Sequence, residues 1–166
     1  AYIDTAFEDI KERTIFYISD NEVKKVCNKR ISDIVDEVCY QVYPGALSVN
    51  NEMINKENIT TSPIKKARKT IIERLIYSED CTDYYSGTSA EATIFRALFV
   101  GTGIITKKYE KNAEEVMEVF NTFIDSACDV KQPLSTLLNE LVNEPIGMRR
   151  GIIPIYLAYA LSLRKE

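Results

Sequence analysis

The side chains in this sequence best suited to engage a ligand are clustered cations. Lys65, Lys66, Arg68 and Lys69 fall within five positions, Lys107 and Lys108 are adjacent with Lys111 close behind, and Arg149-Arg150 form a pair after Met148. Ammonium and guanidinium groups at such density suit phosphate or carboxylate recognition. The bland alternative for each cluster is a solvated or protein-facing surface. Groups for covalent or acid–base chemistry are scarce by comparison. With no histidine in 166 residues, Ser-His-Asp and Cys-His nucleophile systems, HExxH zinc sites and imidazole acid–base catalysis are all excluded. Ser48, Ser86 and Ser135 therefore have no evident base to activate them. The carboxylates Asp33, Asp36 and Glu37, and again Glu114, Glu115 and Glu118, lie largely opposite apolar stripes, as solvated helix faces do. Gly101-Thr102-Gly103 offers a GxG fragment without a third glycine or a preceding strand, so it reads as a helix stop. No GxxxxGK[ST] run is present to cradle phosphates. The residue pattern assigns no catalytic residue, no cofactor and no metal site.

Composition is that of one ordinary soluble domain, expected to span 1–166. Hydrophobic residues make up 45%, charged residues 28%, and the formal charge is −4. An acidic total argues against a free-standing nucleic-acid binder, whose domain balance is usually basic. The cysteines Cys27, Cys39, Cys81 and Cys128 form no CxxC pair, and free cysteine commonly behaves as a small buried hydrophobe. Buried reduced thiols and a cytoplasmic location are expected. The longest apolar stretch, Ile152 to Leu163, is shorter than the roughly 20 residues a bilayer demands, so no membrane partner is expected. The chain opens on Ala1 and closes on Arg164-Lys165-Glu166 directly after that stretch, which suggests a domain excised from a larger protein.

The elements that must hold the cations follow from periodicity. Ala1 to Lys11 reads as a short helix and Thr14 to Ile18 as a strand. Val23, Cys27, Ile31, Ile34, Val38 and Val42 recur at helical intervals, predicting a helix of about six turns capped by Asp20 or Asn21 and ended by Pro44-Gly45. Ser62-Pro63 predicts an N-cap and first-turn proline for a helix burying Ile64, Ala67, Ile71 and Leu75. Its first turns carry the Lys65–Lys69 cluster where the helix dipole favours acids, a local conflict of the kind that marks function. Thr88 and Glu91 are spaced as a capping box for a helix burying Ala90, Ile94, Ala97 and Leu98. Ile104-Ile105-Thr106 reads as a short strand. Asn112 and Glu115 repeat the capping arrangement before a stripe of Val116, Val119, Phe120, Phe123 and Ala127. Pro133 opens a helix with Leu134, Leu137, Leu138 and Leu141 inward, ending before Pro145. A basic turn, Ile146 to Gly151, leads into a helix apolar on nearly all sides, with Tyr156 and Tyr159 seeking partners. The expected architecture is mainly α: a compact bundle of about six helices with at most two or three short strands, winged-helix-like in part.

Three stretches carry a resemblance. They are Asn50-Asn51-Glu52-Met53-Ile54-Asn55 with the Ser62 to Leu75 helix, then Glu91 to Gly103, then Pro145-Ile146-Gly147-Met148-Arg149-Arg150-Gly151-Ile152-Ile153-Pro154. Their order resembles a helical region that follows the P-loop ATPase core in large bacterial proteins, including ATPases of BREX-like phage-defence systems. The chain departs from that pattern at Ile146, where an aromatic is common, and in lacking the ATPase motifs. The resemblance implies a non-catalytic accessory domain. Its partner would be the rest of the parent polypeptide or another protein, with nucleic acid a further candidate. The alternative reading is a winged-helix-like DNA-binding module using Arg149, Arg150 and the Lys65–Lys69 cluster.

Overall fold

The computed structural model describes residues 17–18, 21–22, 31–54, 61–77, 79–110 and 112–164. Its contacts separate two units at Pro44/Gly45. In the first, β1 (Tyr17–Ile18) pairs antiparallel with β2 (Asn21–Glu22), Tyr17 opposite Glu22, and α1 spans Ile31–Val42. Asn21 belongs to β2, so it is not the cap expected for the long helix; Asp20, the other expected cap, lies outside the described residues. Residues 1–16, which include most of the predicted first helix and strand, and residues 23–30 lie outside the described residues.

The second unit is a helical bundle whose elements are α2 (Ser62–Ile76), a 3₁₀ turn (Thr82–Tyr85), α3 (Ala90–Phe95), α4 (Ala113–Asp129), α5 (Leu134–Val142) and α6 (Ile153–Ser162). The described chain is thus mainly α, with six α-helices among the described residues. The apolar α6 packs against both α2 and α4, α3 closes on α2, and α5 on α4. That central place explains why Ile153, Ile155, Tyr156, Ala158 and Ala160 are all buried. No helix among the described residues is long and apolar enough to cross a membrane.

Two phenylalanines absent from the predicted stripe hold the core together. Phe95 and Phe99, four positions apart on one helix face, stack at 4.8 Å between ring centroids. Tyr84 meets Phe95 at 5.3 Å, Tyr156 meets Phe99 at 5.5 Å, and Phe120 of α4 meets Tyr156 at 6.2 Å. These offset and edge-on geometries suit the ring quadrupole. Beyond Phe95 the helix widens into a π turn, Arg96–Val100, in which the Gly101 amide donates to the Arg96 carbonyl at 2.8 Å. Within it the Leu98 carbonyl accepts the Tyr156 hydroxyl at 2.8 Å and also the hydroxyl of buried Thr102. The Gly101–Gly103 stop is confirmed: the helical segment ends there.

Several local expectations shift. Thr61, without a side-chain bond, caps α2, so Ser62 is already helical. Ser89 rather than Thr88 caps α3, its hydroxyl accepting the Ala92 amide at 3.2 Å. Asn112 occupies the cap position of α4 but in left-handed geometry (φ 69°), and its amide donates instead to the Ala46 carbonyl at 3.2 Å. Residues 104–106 form turns rather than a strand, with Ile104 buried in the core. On α4 the buried face runs Ala113, Val116, Met117, Phe120 and Ile124, rotated from the predicted stripe. Leu134 is exposed at the open start of α5 while Leu137 and Leu141 are buried. Cys39 and Cys128 are exposed and Cys81 is half-buried, all free thiols. The expectation of buried thiols fails at Cys39, which sits one position off its stripe, and at Cys128, in the last turn of α4 beyond Ile124.

Candidate contact surface

On α2, burial of Ala67, Ile71 and Leu75 turns Lys65, Lys66 and Lys69 to solvent and leaves Arg68 half-exposed. The first turn contains no acid, so no carboxylate there offsets Lys65 and Lys66 at the helix's positive end. Lys69 pairs with Glu73 one turn on, at 3.5 Å. At an exposed site such a pair is worth only about 0.3–0.5 kcal/mol.

Lys107 and Lys108 are exposed on the loop that follows the π turn. The Lys108 amide donates to the Gly103 carbonyl at 3.1 Å and the Glu110 amide to the Thr102 carbonyl at 2.9 Å, folding the loop back on itself. Lys107 takes left-handed backbone geometry (φ 53°), which holds the lysine pair outward on a fixed turn.

The third cluster is the most firmly built. Ile146, Met148 and Ile152 are buried, and Gly147 takes φ 63°. The Gly147 amide donates to Asn143 at 2.9 Å, Met148 to Leu141 at 2.7 Å and Ile152 to Arg149 at 3.1 Å. The Gly45 amide closes on the Pro145 carbonyl from the other side at 2.9 Å. Apolar residues on both flanks point inward, so Arg149 and Arg150 are left exposed together. Among the described residues no ion pair or hydrogen bond joins the three clusters. The clusters are carried by three different segments: α2, the loop at 101–110 and the turn before α6.

Sequence reasoning missed a pair of arginines that organise the 79–87 loop. Arg74 lies on α2 outside its buried stripe of Ala67, Ile71 and Leu75, where a solvated side chain is ordinary. Its guanidinium instead forks onto Asp83, at 3.0 Å to Oδ2 and 2.9 Å to Oδ1, donates to the Asp80 carbonyl and lies 4.4 Å over the Tyr84 ring. Arg96 donates to the carbonyls of Tyr84 at 2.8 Å and Gly87 at 2.6 Å. Asp80 starts the 3₁₀ turn by accepting the Thr82 amide at 2.9 Å and hydroxyl at 2.7 Å, and those bonds hold its carboxyl below the usual range. Burial pushes the thiol of neighbouring Cys81 up, against the pull of Arg74, so this cysteine is not an activated nucleophile. The available signal was Arg96, a lone cation in an otherwise apolar helical segment. Replacing Arg74 with methionine keeps the stem and removes the fork. Stability should fall by about 1–2 kcal/mol, and limited proteolysis should then cut within 79–87 where the native protein resists.

Compared with family models, curated proteins and solved structures, the chain matches none.

Proposed function

We propose that this chain is a non-catalytic helical accessory domain of a larger intracellular bacterial ATPase. It works by contact with the rest of that polypeptide or with another protein, and the Arg149–Arg150 turn is the main contact. The supporting observation is the turn itself: buried Ile146, Met148 and Ile152 and four backbone hydrogen bonds hold two adjacent guanidinium groups in solvent. Fixing the backbone beforehand lowers the ordering cost of binding, and arginine is among the residues that dominate interface energetics. The link to an ATPase rests on the resemblance carried by Pro145 to Pro154 and the two upstream stretches.

The test uses the flanking reading frame. A P-loop motif in the same polypeptide is expected, and the purified chain should bind that ATPase region in trans. Changing both Arg149 and Arg150 to alanine should weaken that complex at least about tenfold. Robust ATP hydrolysis by the chain alone, abolished by one carboxylate substitution, would overturn the reading. Duplex-DNA binding that falls steeply with salt and is lost in the double-arginine variant would replace it with the winged-helix-like alternative.

A further inference from the structure

Three tyrosines from three elements converge on a surface that the proposed contact does not use. Tyr85, at the end of the 3₁₀ turn, is 45% exposed and Tyr109, beside the lysine pair, is 39% exposed. Tyr159 of α6 is half-buried. Tyr85 stands edge-on to Phe95 at 6.2 Å and Tyr159 leans on Phe99 at 4.9 Å, so both rings rest on the Phe95–Phe99 stack. Tyr109 is carried by the segment pinned to Thr102 and Gly103 at the end of the same helix. Burial first, then the nearby Tyr109 and Tyr85, pushes the ionisation of Tyr159 up.

Beside Tyr109 in the chain, lysines outnumber acids. Asp83, the acid nearest Tyr85 in the chain, is neutralised by the Arg74 fork. Lys107 and Lys108 are exposed and make no ion pair among the described residues. Between Gly101 and Lys111 the sequence has three lysines against one glutamate. Exposed rings on a rigid backing beside unpaired cations match a ligand with π-faces and a polyanionic backbone. A proline-rich peptide would use the rings but not the lysines. A duplex hides its base faces in its own stack, whereas single strands offer them to aromatic side chains. We propose that Tyr85, Tyr109 and Tyr159, flanked by Lys107 and Lys108, form a stacking platform for single-stranded nucleic acid.

Anisotropy of a fluorescein-labelled oligothymidylate of about 20 nucleotides, titrated with the whole chain at low salt, tests this directly. Because the protein has no tryptophan, quenching of its tyrosine emission at saturation reports stacking in the unmodified chain and needs no variant. Binding with quenching is expected, with affinity falling as salt rises. Tyr85→Leu and Tyr109→Leu should each weaken binding roughly 5- to 100-fold, while Tyr109→Phe, which keeps the ring, retains it. Lys108→Gln should flatten the salt dependence. An oligouridylate arm shows whether the platform takes RNA as readily as DNA. The double Arg149/Arg150 alanine variant should bind the strand normally, which separates this site from the proposed contact turn. The proposal is overturned if the strand does not bind at low salt, or binds without quenching. It is equally overturned if a duplex binds as tightly with both leucine variants unaffected, or if a proline-rich or acidic peptide binds and the strand does not.

Discussion

Tyr156→Ala is expected to destabilise the protein by about 3–5 kcal/mol, the range for truncating a large buried aromatic. The ring is fully buried and touches Phe99 of the π turn and Phe120 of α4, so its loss opens a cavity between three elements. The hydroxyl adds a second effect, because it serves the Leu98 carbonyl inside the π turn. Tyr156→Phe keeps the packing and removes that donor, for an expected cost of about 1 kcal/mol. Thr102 limits the loss by still donating to the same carbonyl. The phenol also makes stability depend on alkaline pH. Burial drives its ionisation above the ordinary range, opposed by its interaction with Thr102. The folded state therefore holds the proton more tightly than the unfolded chain. The stabilisation is complete below the ordinary tyrosine value of about 10 and is lost as pH rises above it. Urea midpoints at about pH 8 and about pH 11 should therefore separate further for the native protein than for Tyr156→Phe. Equal separation would show that Tyr156 is not the group that titrates.

Gly103→Ala should cost about 3 kcal/mol or more, for an unrelated reason. Gly103 takes φ +70°, and a Cβ there would lie 1.8 Å from the Lys108 carbonyl oxygen and 2.6 Å from its carbon. Those atoms are backbone and cannot rotate aside. Accommodating a methyl group means moving the 107–110 segment, with loss of the bonds from Lys108 to Gly103 and from Glu110 to Thr102. The substitution should thus lower the thermal midpoint and displace Lys107, Lys108 and Tyr109 together. Gly101→Ala is the control: its Cβ would meet the Ala97 carbonyl at 3.1 Å without positive φ, so its cost should be clearly smaller. Comparable losses at both positions would show that general crowding, not the turn at Gly103, sets the effect.

Much of the helical framework is legible in the order of the amino acids alone. Pro133 and the Asn143-Glu144-Pro145 stop bracket α5 as observed, the glycines end the α3 segment, and the all-apolar composition of Ile152 to Leu163 foretells the central place of α6. These signals are local, arising from the fixed 3.6-residue period and from backbone rules at proline and glycine. The caps fall one residue away from their expected places at Ser62 and Thr88. Adjacent hydroxyl residues have the same chemistry, and the path of the entering chain decides which one takes the cap position; at α3 it is Ser89 whose hydroxyl reaches a free amide.

The basic clusters divide along the same line. That Lys65, Lys66, Lys69, Lys107, Lys108, Arg149 and Arg150 would be exposed followed from the apolar residues interleaved with them. That Arg74 would leave the solvent to hold Asp83 nine residues on, and that Arg96 would tie down Tyr84 and Gly87, did not. A long cation on a helix surface has no local signal for which carbonyl or carboxylate will come within reach. The sequence by itself determined the helical class, most element ends and the positions of the exposed cations, because these depend on spacing along the chain. Tertiary structure alone decided the π turn, the arginine-held loop and the convergence of three tyrosines. Each depends on groups brought together across the fold, such as Leu98 and Tyr156, which stand 58 residues apart, and no periodicity in the chain records that distance.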